Sequence, residues 1–104
     1  MTLKEFDQFW QQLCEDEHQL LQGKGIEYSG ENNRFRNFEK LGTELELHPA
    51  KIAWIYLKKH LDSLLSYINK LDDPKYKEQI SEPILGRIHD ARNYLALIGG
   101  MLND

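Results

Sequence analysis

Apolar residues recur along most of the chain at three- and four-residue steps, the spacing that keeps side chains on one face of an α-helix. Leu3, Phe6, Trp10, Leu13 and Leu20 form the first such run. Thr2 and Glu5 stand before it in capping-box spacing, in which the hydroxyl and the carboxylate each satisfy a free backbone N–H. Gly23 and Gly25 predict its end, since glycine accepts the left-handed conformation of a helix C-terminus. The stretch GKGIEYSGENN, residues 23–33, has no apolar period and predicts a loop. A second helix is expected over Arg34–Glu46 from Phe35, Phe38, Leu41 and Leu45, although Gly42 within it costs about 1 kcal/mol against alanine. Pro49 suits the first turn of a third helix, whose stripe is Ala50, Ala53, Leu57, Leu61, Leu64, Ile68 and Leu71 and whose stop is Asp72-Asp73-Pro74. After a short turn (KYKEQI), Ser81 caps a last helix from Glu82 to about Met101, with Pro83 in its first turn and Ile84, Ile88, Ala91, Leu95, Ile98 and Leu102 as its apolar face. No segment reads as a strand. The expectation is an all-α, four-helix-bundle-like single domain over residues 1–104.

Composition narrows the function classes. With 104 residues, 40% hydrophobic and 29% charged, the chain is too apolar for intrinsic disorder. It also lacks the roughly 18-residue apolar run of a membrane span. The opening MTLKEFDQFW carries acids and no apolar core run, so no secretory signal is expected, and Cys14 is the single cysteine. These features suggest a soluble cytoplasmic protein with no membrane partner. A net charge of −4 argues against duplex nucleic acid, whose affinity comes from neutralised phosphates. A small anionic ligand needs only a few basic groups locally, and Lys24, Arg34, Arg36 and Lys40 cluster around the expected loop.

Two polar stripes could carry chemistry. Glu82, Gly86, Asp90 and Asn93 follow steps of four, four and three on the last helix, on a face expected roughly opposite its apolar stripe. Such a stripe is ordinarily a solvated face. Two carboxylates and an amide in line also suit a hard cation such as Mg²⁺, which takes oxygen ligands and shares them with phosphate. Tyr94–Ile98 is apolar nearly all round, so Asp90 beside it would need a partner. On the third helix Tyr56, His60, Ser63 and Tyr67 follow steps of four, three and four. Flat rings with polar rims suit stacking on a base, although a histidine there is more often a hydrogen-bonded core-edge residue. Arg34 and Arg36 flank Phe35, and guanidinium forks suit phosphate oxygens. No P-loop, serine elbow or zinc-spaced His/Cys pair is present.

The stretches KGIEYSGENNRFRNFEKLG (Lys24–Gly42) and SEPILGRIHDARNYLALI (Ser81–Ile98) resemble small phage-encoded helical proteins. Those proteins belong with, or near, the nucleotide-modification-associated domain related to MazG-like all-α nucleotide pyrophosphatases. The resemblance covers about half of the chain. It implies a helical fold, often dimeric or tetrameric, and Mg²⁺-dependent cleavage of nucleoside triphosphates. Carried over by position, Glu82, Asp90 and Asn93 match the acidic stripe, and Tyr28, Asn37 and Phe38 the loop signature. Gly86 stands where a second acid is usual, and the third helix offers Lys59, His60 and Asp62 in place of Glu-Glu-x-x-Glu.

The expected function is binding of a nucleotide or related phosphorylated small molecule, with pyrophosphohydrolase activity weak or lost. Glu82 and Asp90 would hold Mg²⁺, Tyr56, His60 and Tyr67 would contact the base or sugar, and Lys24, Arg34 and Arg36 the phosphates, with Tyr28 and Asn93 as further ligand-binding residues. The alternative is a non-catalytic interaction protein, such as a phage-encoded inhibitor of a host defence or replication enzyme. In either case Phe6-Phe9-Trp10 or Trp54 is expected to be left for a second copy, giving a homo-oligomer.

Overall fold

A computed structural model of the chain describes the backbone of residues 1–29, 33–77 and 84–104, and the side chains outside 24–32 and 76–83. The helices are α1 (Leu3–Ser29), α2 (Arg36–Leu45), α3 (Pro49–Lys70), the single-turn α4 (Pro74–Lys77) and α5 (Ile84–Leu102). No strand occurs among the described residues, so the all-α, bundle-like class expected from the periodicity is the observed one.

Local chemistry sets most helix ends. Glu5 N–H donates to Thr2 Oγ1 and Thr2 N–H to Glu5 Oε2, both at 3.1 Å, the reciprocal capping box of α1. The expected stop at Gly23 and Gly25 does not occur, and α1 continues to Ser29. Gly23 is not in the left-handed region; an interior glycine weakens a helix without removing its hydrogen bonds. At the start of α3, His48 Nδ1 accepts from Ala50 N–H at 3.0 Å and Pro49 follows. Asp73 Oδ1 does the same for Lys75 N–H at 3.0 Å, opening α4 within the expected turn. The expected cap Ser81 and the positions Glu82 and Pro83 lie outside the described residues.

The end of α2 explains its awkward glycine. Glu46 adopts φ 57°, while Leu47 N–H donates to Gly42 O at 2.8 Å and Glu46 N–H to Thr43 O at 3.4 Å, a Schellman closure. Leu47 O then lies 2.6 Å from where a Cβ on Gly42 would stand. Gly42 therefore lets the chain fold back directly into α3. A glutamate at the left-handed position is strained, whereas glycine is not. Glu46→Gly is expected to stabilise the fold by about 0.5–1 kcal/mol, seen as a higher urea midpoint with an unchanged m-value.

The core lies between α3 and α5. These run antiparallel: Ser63 faces Arg87, His60 faces Asp90, and Tyr56 faces Tyr94. Ile52, Ala53 and Leu57 of α3 are buried with Ala91, Leu97 and Met101 of α5 and Leu13 of α1. Leu21, Phe35 and Phe38 close over the Ala53–Leu97–Met101 cluster. Two expected stripes need correction. On α3 the buried part ends at Leu57, and Leu61, Ile68 and Leu71 are exposed. On α5 the expected face leaves Leu95 and Leu102 exposed, while Asn93, Leu97 and Met101 turn inward. The inward face is rotated by roughly 100°, one residue's worth of helix. Ala91, Leu97 and Met101 are buried there, and Tyr94 packs against the core cluster.

Candidate functional site

The rotation of α5 builds a cleft. A cavity of about 440 Å³ opens between α2, α3 and α5, with Leu21 and Arg34 at its α1 side. Its floor is apolar: Leu41, Ile52 and Leu97. One wall is aromatic. The rings of Tyr56 and His60 both lie nearly parallel to Tyr94, with centroids at 6.0 and 5.3 Å and interplanar angles of 17° and 28°. Phe38 meets Tyr94 edge-on at 6.4 Å and 88°, the favourable arrangement for two ring quadrupoles. Tyr56 remains 40% exposed, so its ring is accessible from the cleft.

Three polar groups converge on this apolar shell. Arg34 Nη2 donates to Leu21 O at 3.4 Å, and partial burial lowers the guanidinium's pKa by desolvation. It remains a cation, but one with less than its full share of water. Asp90 Oδ2 lies 3.9 Å from His60 Nδ1, with one third of each side chain accessible. Asn93 is 6% exposed, and its Nδ2 has no hydrogen-bond partner among the described residues. A buried, unpaired amide donor costs about 1–3 kcal/mol, so a group that accepts from it would be bound with gain. Two or three oriented polar groups in an apolar concavity are the usual composition of a small-molecule site.

Tyr94 reports on the same surroundings. Burial first, then the charge of Asp90 and the neighbouring Tyr56, raise the pKa of its phenol. The fold thus favours the neutral phenol. The stability this contributes is complete below about pH 10, the ordinary tyrosine value, and is lost as pH rises through the folded-state value. Tyr94→Phe is expected to flatten that alkaline loss, measured by urea midpoints between about pH 9 and about pH 11.

Of the residues expected at a site, Arg34, Tyr56, His60, Asp90 and Asn93 line this one cleft, together with Asn37 and Phe38. Asp90 and Asn93 do not sit on a solvated outer face of the last helix. Asn93 is buried and Asp90 half-buried, because the inward rotation of α5 carries them under α2 and α3. Arg36 and Tyr67 are not among the lining residues, and Arg36 is exposed. The side chains of Lys24, Tyr28 and Glu82 lie outside the described residues. Gly86 faces open space. Among the described residues no three His, Cys, Asp or Glu side chains gather in metal-binding geometry.

Tyr94 is a central wall residue that the apolar-run reading treats only as enclosed. The available signal was its position four residues after Asp90, which places both on one face. A second polar cluster was also illegible in the sequence. Glu17 Oε1 pairs with Arg92 Nε and lies 3.4 Å from His89 Nδ1, and Arg92 Nη2 donates to Cys14 Sγ at 3.4 Å. It ties α1 to the side of α5 facing away from the cleft. No helix among the described residues is long and apolar enough to cross a membrane. Searches against family models, characterised proteins and solved structures find no match to this chain.

Proposed function

We propose that the α2–α3–α5 cleft binds a nucleotide or a closely related phosphorylated, ring-bearing small molecule. The observation that carries this reading is the convergence, in one apolar cavity, of a stacked aromatic wall, a partly desolvated arginine and a buried amide donor without a partner. Tyr56 and His60 would stack on the base, an interaction worth about 1–3 kcal/mol per base. Asn93 Nδ2 would donate to a ring carbonyl or ring nitrogen. Arg34 would hold phosphate oxygens, favoured because charge-assisted bonds strengthen where water is thinned.

Asp90 is the one carboxylate that the described residues bring to the cleft. Its accessibility fits a single oxygen ligand to Mg²⁺, with Glu82, eight residues earlier, as the second carboxylate offered by sequence. Bound there with a ligand, the cation would supply charge neutralisation at the phosphates. The described residues do not assemble the carboxylate set of a two-metal hydrolytic centre, so binding is the activity proposed and pyrophosphate release is followed as a separate readout.

Isothermal titration with nucleoside mono-, di- and triphosphates, with and without Mg²⁺, tests the proposal. Saturable binding is expected, weakened about 10- to 100-fold by Arg34→Ala, the equivalent of one charge-assisted hydrogen bond. Absence of heat with every nucleotide, or binding indifferent to both Arg34→Ala and Asp90→Ala, would sink it.

A further inference from the structure

The chain does not close on itself as a globule. Its radius of gyration is 16.3 Å over extents of 46 × 31 × 22 Å, against about 13 Å for a compact domain of this length. α1 has 27 residues, about 40 Å of helix, and among the described residues it packs on α2 and α5. The face that buries Leu13 continues toward the N-terminus as Phe6, Phe9 and Trp10, all exposed. On α3, Trp54, Leu61, Leu65 and Ile68 form a second exposed stripe, bordering the buried Leu57.

The edges of the two stripes carry opposite charge. Six acids against two lysines give α1 a net charge of −4, and four lysines against Asp62 alone give α3 a net charge of +3. The overall −4 conceals this separation. Asp7 lies beside Trp10 and Asp16 beside Phe9 on the α1 wheel, while Lys51 and Lys58, one heptad apart, border Trp54 and Leu61 on α3. All four are exposed. Among the described residues of one chain α1 and α3 make no helix–helix contact, so the complementary stripes do not cover each other there.

We infer that two copies of this chain pair by reciprocal docking, the Phe6–Phe9–Trp10 face of each α1 on the Trp54–Leu61–Leu65–Ile68 face of the other copy's α3. A twofold arrangement makes both contacts at once, because residue i of one copy meets residue j of the other and the reverse. A second copy carries both the acidic and the basic apolar face that this pairing needs. The seven side chains expose roughly 700 Å² per chain at about 150–250 Å² for each full side chain, near the roughly 800 Å² per partner of a standard stable interface. The inference is independent of the ligand reading.

Sedimentation equilibrium of the full chain across a concentration series is expected to show a species of twice 12.3 kDa. Trp54→Ala is expected to dissociate it. Reversing the acidic edge (Asp7→Lys with Asp16→Lys) or the basic edge (Lys51→Glu with Lys58→Glu) is expected to weaken the dimer about tenfold or more, since like charges then face each other. Placing all four reversals in one chain is expected to restore it. Circular dichroism confirms that each variant is folded; the reversed side chains are all on the surface. A monomer at every concentration overturns the inference, including one that captures another protein through the Phe6–Trp10 face. So does a dimer that ignores Trp54→Ala, or one in which the two reversals do not rescue each other.

Discussion

Replacing Asn93 by leucine is expected to make the protein more stable and a poorer binder at the same time. Asn93 is 6% exposed and its amide Nδ2 lacks a partner among the described residues. The fold therefore bears the desolvation of a donor that it does not use. Leucine keeps the branch at Cγ, removes the donor and is a better helix former in α5. Together these changes should stabilise by about 1–2 kcal/mol. The same substitution removes the group that would orient a ring acceptor in the cleft. A loss of one hydrogen bond, with an unpaired acceptor left on the ligand, is expected to weaken nucleotide binding roughly 10- to 100-fold. Urea unfolding without ligand and titration with the tightest nucleotide measure the two halves separately. A leucine variant that is less stable would show Asn93 to be a structural amide, and unchanged affinity would remove it from the proposed site.

Gly42→Ala is expected to destabilise by about 2 kcal/mol, although alanine is the better helix residue. Propensity alone favours alanine by about 1 kcal/mol. Against this, the new methyl carbon would stand 2.6 Å from Leu47 O and 3.5 Å from Pro49 N. Both are backbone atoms, so no rotamer change can relieve the contact. The carbonyl of Gly42 also receives Leu47 N–H at 2.8 Å, which couples any shift of the turn to the closing hydrogen bond of α2. Overpacking of this kind costs about 1–3 kcal/mol and more where nothing can yield. The turn also positions α2 over the cleft through Phe38 and Asn37. Gly42→Ala should therefore weaken nucleotide binding as well as lower the thermal midpoint. Glu46→Gly, which relaxes the same turn, should move stability in the opposite direction. Equal thermal midpoints for Gly42→Ala and the parent chain would refute the close-approach account.

How much of this was legible in the sequence depends on the range of the interactions. The helices were legible because each rests on local spacing and local caps: Thr2 with Glu5, Pro49 after His48, and the stop at Asp73-Pro74. Gly42 could be read only as a weak helix position, since the carbonyl that demands it lies five residues on, across a turn. The extent of α1 was misjudged for a related reason. Glycine permits a left-handed end, but whether the chain takes it depends on what the following residues pack against.

The candidate site shows the same division. Residue types and i, i+3, i+4 steps nominated Arg34, Tyr56, His60, Asp90 and Asn93 and placed each on a helix, which holds for all but Arg34, in the turn just before α2. They did not say that these side chains share a cavity. That required the antiparallel register of α3 against α5, which sets His60 opposite Asp90 and Tyr56 opposite Tyr94. It also required the rotation of α5 that carries Asn93 inward while Leu95 stays out. An amphipathic pattern gives a helix's apolar content, and a helix as apolar as α5 has more than one face able to turn inward. Packing against α2 and α3 selects among those faces. The sequence by itself determined four long helices and a short list of chemically capable residues, because hydrogen bonds and caps act within a few positions. Only the tertiary structure decided which residues meet in the cleft, because the relative rotation and register of helices is set by contacts between residues such as Tyr56 or His60 and Tyr94, 38 and 34 positions apart.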